Sequence, residues 1–278
     1  MTFPQTRLSL IQRLAVGDAQ EDWAVFLHDY WGPVCRFALR WGARNLEDAE
    51  DVAAETFRVL WENRLLARWT SNRSAKLRTM LCSVVRNHLS NRGRVAAARE
   101  RLAEAPRIEE WTKANPTDDL FYAAWAEDVV GRAVESLAMD YVREGRPDYV
   151  RVLYGRLCEE LTIADVAAAL ELKPATVDNY YRHARERLSQ ELADLVRQQL
   201  EHYCEREELE AEFEREWHEL GRHLAEHGGL DMAVRRAHEL LDPPQAGQRR
   251  QAGIDKAVKK LTAIMHASGE TSSSGTEG

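Results

Sequence analysis

The sequence lacks the features that mark membrane, secreted and metal-binding proteins. No stretch approaches the roughly 18 consecutive apolar residues of a membrane-spanning helix. The amino-terminal stretch carries Arg7 and Arg13 where a signal peptide would have an apolar core. The four cysteines lie far apart and form no C-x-x-C pair for zinc or redox chemistry. We therefore expect a cytoplasmic protein with free thiols, no membrane contact, no metal site and no cofactor.

Common enzyme motifs are also missing. The sequence contains no P-loop, no G-x-S-x-G string and no H-E-x-x-H string. We expect no catalytic activity, and an enzyme is the third and weakest of the alternatives considered.

The chain has an excess of acidic charge, but the charge is unevenly distributed. It carries 46 Asp+Glu against 38 Lys+Arg, a net charge of -8 that by itself argues against nucleic-acid binding. Residues 64–101 nevertheless hold ten cations and one acid, whereas residues 102–144 sum to -6 and residues 201–220 to -7. Salt screens charges beyond about 8–10 Å, so the basic block can bind phosphate locally. A solvated helix face is the alternative interpretation of that block.

Apolar periodicity predicts an all-α protein. An apolar residue recurs at spacings of three and four between Trp23 and Trp41, and Asn45 is placed to cap the next helix. A polar break at residues 70–74 precedes a further helix that ends near Arg94, and no alternating run indicates a strand. The first predicted domain, residues 1–101, is therefore a helical bundle.

The rest of the chain divides by composition. Residues 102–127, rich in acids and containing Pro106 and Pro116, are predicted to be a flexible linker, with helical periodicity resuming near Asp128. A second helical domain covers residues 128–195. Residues 196–278 form a helical extension whose last twelve residues, ASGETSSSGTEG, cannot fold alone.

A helix-turn-helix is predicted within the second domain. Thr162 and Asp165 have the spacing of a capping box, Glu171 begins a three-residue turn, and Pro174 suits the first position of the next helix. Such a second helix can enter the major groove of DNA. Glu171 departs from the Gly that this turn often carries. An ordinary helical hairpin is the alternative.

Two further strings make a family recognisable. DAEDVAAETFRVLW at residues 48–61 is similar to the polymerase-binding helix of extracytoplasmic-function (ECF) sigma factors, and LRTMLCSVVRNHLSNRGR at residues 77–94 resembles their promoter-melting helix. The helix-turn-helix follows where region four of this family lies. The resemblance covers roughly residues 20–195 and implies a region 2 bundle joined by a linker to region 4.

The resemblance implies core RNA polymerase as a partner of the first string. Its outer stripe, mostly acidic, would meet basic helices of the polymerase clamp and comprises Asp48, Asp51, Glu55, Arg58 and Glu62. Ala54 stands where the family commonly has Gln. A solvated acidic face is the alternative.

The resemblance also implies promoter DNA as a partner of both domains. In the first, the residues expected at the minus-ten element are Trp69, Arg73, Lys76, Arg78, Arg86, Asn87, Arg92 and Arg94. Trp69 would lie in a loop that captures a flipped base, or would anchor that loop in the bundle. In the second, the residues expected at the minus-thirty-five element are Lys173, Ala175, Thr176, Asn179, Arg182, His183 and Arg185.

The expected function is therefore that of a sigma factor that binds core polymerase and directs promoter-specific initiation. The main alternative is a helix-turn-helix regulator that acts on duplex DNA without polymerase. The extension after residue 195 could fold back in cis over a basic surface, or it could bind a separate regulator such as an anti-sigma factor.

Overall fold

The regular structure of the protein is entirely helical wherever it is described, which confirms the predicted all-α class. A computed structural model describes residues 10–17, 19–71, 77–95, 117–204, 206–240, 247–259 and 262–263. Within these ranges, no helix combines the length and the apolar character that a bilayer crossing requires. The helices, in chain order, are α1 (Leu10–Val16), α2 (Gln20–Trp41), α3 (Leu46–Glu62), α4 (Leu65–Ser71), α5 (Leu77–Val95), α6 (Thr117–Arg143), α7 (Pro147–Leu157), α8 (Ile163–Leu170), α9 (Pro174–Tyr203), α10 (Leu209–Glu226), α11 (Gly229–Leu240) and α12 (247–259).

The chain divides into two compact units. The first consists of Met1–Trp125 together with Arg249–Gly278, and the second of Ala126–Gln248. The division falls within α6. The carboxy-terminal extension is shared between the units, because α10 and α11 belong to the second and nearly all of α12 belongs to the first.

Helix α2 lies at the centre of the first unit and is buried on more than one side. The ring of Phe26 meets the ring of Phe57 edge-on at a centroid distance of 5.8 Å, as the predicted apolar face requires. Trp31 lies outside that face, yet it is 3% exposed and stacks on Phe57 at 6.1 Å. On α2, Phe37 contacts Phe121 of α6 at 5.6 Å. Each aromatic pair adds to the apolar area buried around α2.

The amino-terminal part of α6 corrects the predicted linker. Helix α6 begins at Thr117, so residues 117–127 are helical and not a flexible connector. Phe121 and Tyr122 are buried in the first unit, and the apolar area that they bury offsets the entropy lost when this acidic segment is ordered. Residues 102–116 of the predicted linker lie outside the described part of the chain.

Helix α12 packs on the first unit through a glycine. A Cβ atom at Gly253 would lie 2.9 Å from Cζ2 and Nε1 of the Trp31 indole, which is closer than a real Cβ contact. Ile254 is buried beside it, and Arg249 Nε donates a 3.0 Å hydrogen bond to Glu50 Oε1 of α3. Helix α12 is therefore an integral layer of the first unit.

Helix α9 is the longest helix of the second unit and extends past the predicted domain boundary at residue 195, ending at Tyr203. Its amino-terminal half packs with α7 and α8, and its carboxy-terminal half packs with α10. A stack of three tyrosine rings joins α6, α7 and α9: Tyr141 lies on Tyr149 at 4.9 Å, and Tyr149 lies on Tyr180 at 4.0 Å. Arg187 of α9 also forms an ion pair with Glu144 at 2.8 Å.

We expect Gly253→Ala to lower the free energy of unfolding by roughly 1–2 kcal/mol, because the added methyl group overpacks the buried Trp31 ring. Gly221→Ala in α10 is the matched control. Nothing lies within 4 Å of a Cβ there, so the better helix propensity of Ala should raise stability by roughly 0.5–1 kcal/mol. Denaturant unfolding of both variants measures the difference, and equal effects would contradict the packing of α12 on Trp31.

Candidate nucleic-acid interface

The predicted helix-turn-helix is formed by α8 and the first half of α9. The capping box at its start is confirmed: Thr162 Oγ1 accepts from Asp165 N at 3.1 Å, and Asp165 Oδ2 accepts from Thr162 N at 3.0 Å. Hydrogen bonds from the Thr162 side chain and backbone hold the pKa of Asp165 below its usual value. These bonds satisfy two amide groups that α8 would otherwise leave without partners.

The turn between the two helices requires a left-handed residue. Glu171 ends α8 with φ 55° and ψ 35°, and Leu172 N donates to Ala167 O at 2.9 Å. The Gly common at this position would adopt that conformation without strain. Pro174 then opens α9 as predicted, and the buried residues that join α7, α8 and α9 are Val152, Val166, Ala167 and Val177.

One ridge of α9 points away from this core. Ala175, Asn179, Arg182 and Glu186 are exposed and recur at spacings of three and four along the helix. Arg182 Nε lies 3.2 Å from Asp178 Oδ2 one turn earlier, in an exposed pair that costs little to break. We call these four residues the outward ridge.

The remaining residues predicted to bind the minus-thirty-five element lie beside the ridge. Lys173 is exposed in the turn, and Thr176 is half-buried. His183, placed on the outer face from the sequence, also contacts α6 and α7: its Nδ1 is 2.9 Å from the Tyr141 hydroxyl, and its ring meets Tyr149 edge-on at 5.2 Å. His183 is nevertheless exposed, so its contact with the minus-thirty-five element stays a prediction.

His183 and Arg185 lie on the two flanks of the outward ridge, and the flank of Arg185 faces α11. Its guanidinium is 3.0 Å from Asp231 Oδ1, and its Cζ lies 5.6 Å from the centroid of the Tyr181 ring. Sequence reasoning missed Asp231, because no local pattern connects two residues so far apart in the chain. Both flanks thus contact other helices of the second unit, whereas the four residues of the outward ridge are exposed.

The acidic stripe predicted on α3 is present, and part of its charge is already paired. Arg58 donates to Glu55 at 2.8 Å and also pairs with Glu62. Hydrogen bonding to Glu55 and, to a lesser extent, to Glu62 raises the pKa of Arg58. Asp48 accepts from Arg44 N at 2.9 Å near the start of the helix, and Asp51 is exposed.

The start of α3 is also as predicted from the sequence. Asn45 caps the helix by accepting a 2.9 Å hydrogen bond from Asp48 N. This cap orients the first turn, so that Asp48 lies beside the amide groups that favour negative charge.

Two of the predicted minus-ten residues pack on aromatic rings. The guanidinium carbon of Arg78 lies 5.0 Å from the centroid of Tyr122, and that of Arg86 lies 5.1 Å from the centroid of Trp41. Asn87 is half-buried on α5. Arg73 and Lys76 lie outside the described residues, as do the side chains of Arg92 and Arg94.

The position of Trp69 corrects a further prediction. Trp69 was expected in a loop, but it lies inside α4, which continues to Ser71. Thr70 Oγ1 and Ser71 Oγ both donate to Ala67 O, at 2.8 and 3.0 Å, and thereby satisfy a carbonyl group near the helix end. The Trp69 side chain is half-buried.

Comparison with protein-family models, with curated proteins and with solved structures finds no match to this chain. Within the described residues, no three His, Cys, Asp or Glu side chains converge in a way that could hold a metal ion. All four cysteines are free thiols, and burial raises the pKa of the Cys204 thiol to about 11. The outward ridge of α9 is therefore the candidate site that the geometry defines best.

We expect Glu171→Val to lower the free energy of unfolding by roughly 1–2 kcal/mol relative to Glu171→Gly, since a β-branched residue is strained in the left-handed conformation. Circular dichroism in denaturant measures the difference between the two variants. Equal stabilities would contradict the left-handed turn between α8 and α9.

Proposed function

We propose that the protein is a sigma factor of the extracytoplasmic-function type, which binds core RNA polymerase and directs initiation at specific promoters. The observation that carries the proposal is the capped, tightly turned helix pair α8–α9 with one uncovered ridge. The strings at residues 48–61 and 77–94 support it, because they precede this helix pair in the order that the family resemblance implies.

In this proposal the outward ridge of α9 enters the major groove. Ala175 lies in the first turn of the helix, where a small side chain lets the backbone approach base edges. Asn179 can bond an adenine edge through both atoms of its amide, and Arg182 can bind a guanine edge or a phosphate. Glu186 limits binding farther along α9, because its carboxylate repels the DNA backbone.

The first unit would supply the polymerase contact. The stripe of four acids and Arg58 on α3 offers negative charge to a basic surface, and Asp51 is exposed. Because Arg58 is held by Glu55 and Glu62, the arrangement of these charges is set before a partner arrives.

A DNA-binding regulator that acts without polymerase is the second candidate. The packing of Arg78 and Arg86 on aromatic rings favours it, because such contacts give these arginines a structural role without DNA. In that case the helix pair α8–α9 would bind duplex DNA, and the first unit would not bind core polymerase.

Run-off transcription with purified core polymerase separates the two candidates. The sigma factor proposal predicts co-purification with core enzyme and a promoter-dependent transcript on templates selected from the native host. Duplex binding with neither core binding nor a transcript would exclude the proposal and favour the regulator.

Asp51→Arg is expected to weaken core binding by about tenfold or more, because the exposed cation would face a basic partner. Glu21→Arg, the same charge reversal at an exposed position of α2, is the matched control and should leave core binding unchanged. Titration of fluorescently labelled protein with core enzyme measures both. Equal losses would show that overall charge, and not the stripe on α3, is responsible.

Arg182→Ala is expected to weaken promoter binding by about 1–3 kcal/mol while core binding stays intact. Exposed Arg215, which pairs with Glu212 of its own helix, provides Arg215→Ala as a control with the same loss of charge. Fluorescence anisotropy with promoter duplex measures the effect, and unchanged affinity in Arg182→Ala would contradict the assignment of the outward ridge.

A further inference from the structure

The flank of α9 beside the outward ridge carries donors that suit a phosphate. Tyr181 and Arg185 lie one turn apart, and the guanidinium carbon of Arg156 from α7 is 5.5 Å from the Tyr181 ring centroid. Arginine and tyrosine side chains commonly bond the phosphate oxygens of DNA and fix its register. A flank that carries these side chains can bind the DNA backbone beside the major groove that the outward ridge would enter.

An acidic side chain of the extension occupies these donors. Asp231 Oδ1 lies 3.0 Å from Arg185 Nη2, and Tyr181 donates to Asp231 Oδ2 at 3.4 Å. Burial, with the nearby Asp231 carboxylate next, raises the pKa of Tyr181, so its hydroxyl keeps the proton that it donates. The Asp231 carboxylate thus pairs with Arg185 and accepts a hydrogen bond from Tyr181, and a phosphate carries the negative charge and the acceptor oxygens to replace it at both groups.

We propose that Tyr181 and Arg185 form a DNA backbone-phosphate site, which Asp231 of α11 occupies in the free chain and yields when duplex binds. The inference rests on the proposed binding of DNA by α9. In this proposal α11 of the carboxy-terminal extension competes with DNA, because Asp231 and a backbone phosphate bind the same side chain, Arg185. The contact is sequence-independent, so Asp231 lowers affinity for duplex DNA in general.

The position of α11 does not depend on Asp231. Arg235 Nε donates to Leu157 O at 3.0 Å and also pairs with Glu160. His238 meets the Tyr154 ring edge-on at 4.8 Å, and the small apolar residues buried along α11 are Ala233, Val234 and Ala237. Removing the Asp231 charge therefore leaves α11 in place.

Arg185 remains accessible beside α11. Its side chain is 45% exposed, so a phosphate can reach the guanidinium without displacing the helix. The competition is between two anions for one cation. An exposed ion pair is worth little in water, and the higher charge and local density of a DNA backbone are sufficient to replace it.

A double-mutant cycle in the full-length chain tests the inference. Asp231→Asn, Arg185→Ala and the double variant are titrated with a fluorescein-labelled duplex of mixed sequence at several salt concentrations. Asp231→Asn should bind on the order of five- to tenfold more tightly, because no carboxylate has to be displaced from Arg185 before a phosphate binds there. Arg185→Ala should weaken binding and lower the slope of log K against log salt by about 0.9, since one phosphate contact is lost, and it should abolish the gain in the double variant.

Two controls keep the result specific. Asp255→Asn removes the same charge from an exposed position of α12 in the first unit and should leave affinity and salt slope unchanged. Glu160→Gln weakens the attachment of α11 without changing Tyr181 or Arg185, and it should also leave affinity and salt slope unchanged. A gain in Glu160→Gln equal to that in Asp231→Asn would overturn the inference in favour of general release of α11.

The remaining outcomes separate this inference from the proposed function. If Arg182→Ala weakens duplex binding while Asp231→Asn does not alter affinity and Arg185→Ala does not alter the salt slope, the phosphate site is wrong and DNA binding by α9 stands. If no variant binds duplex at any salt concentration, both are wrong. A gain in Asp231→Asn that persists after Arg185→Ala also overturns the inference.

Discussion

The burial of one side of helix α9 is the constraint on which the second unit depends. Val177, Ala184 and Leu188 are fully buried along a single stripe, and the stripe continues through Leu192 and Val196. Helices α7, α8 and α10 cover this stripe, while α6 and α11 engage the two flanks through His183 and Arg185. The four residues of the outward ridge are exposed, and this exposure is the physical basis of the proposed DNA contact.

Helix α2 is likewise buried by its neighbours in the first unit. Most of its residues between Trp23 and Ala38 are buried or half-buried, and α1, α3, α5, the start of α6 and α12 pack against it. The extension therefore has two structural roles. Helix α12 packs on Trp31 of the first unit through Gly253. Helix α11 places the Asp231 carboxylate on the flank of α9 in the second unit.

Local signals in the sequence predicted the local structure well. The caps at Asn45 and Thr162 and the helix start at Pro174 are present, because each depends on residues within one turn. Predictions that depended on tertiary partners were less successful. The linker and the loop at Trp69 were predicted from polar composition, but aromatic packing in α6 and side-chain bonds in α4 override it. The partners of Arg185 and Trp31 come from distant segments that no short-range pattern reveals.

The direction of the outward ridge is the central claim, and crosslinking tests it most directly. A photo-crosslinking amino acid placed at position 179 is expected to join the protein to bound duplex, while the same group at position 214, exposed on α10, is not. Crosslinks from position 179 alone, lost in competition with unlabelled duplex, would agree with a DNA-reading ridge on α9. Equal crosslinking from both positions, or crosslinks from position 214 alone, would contradict it.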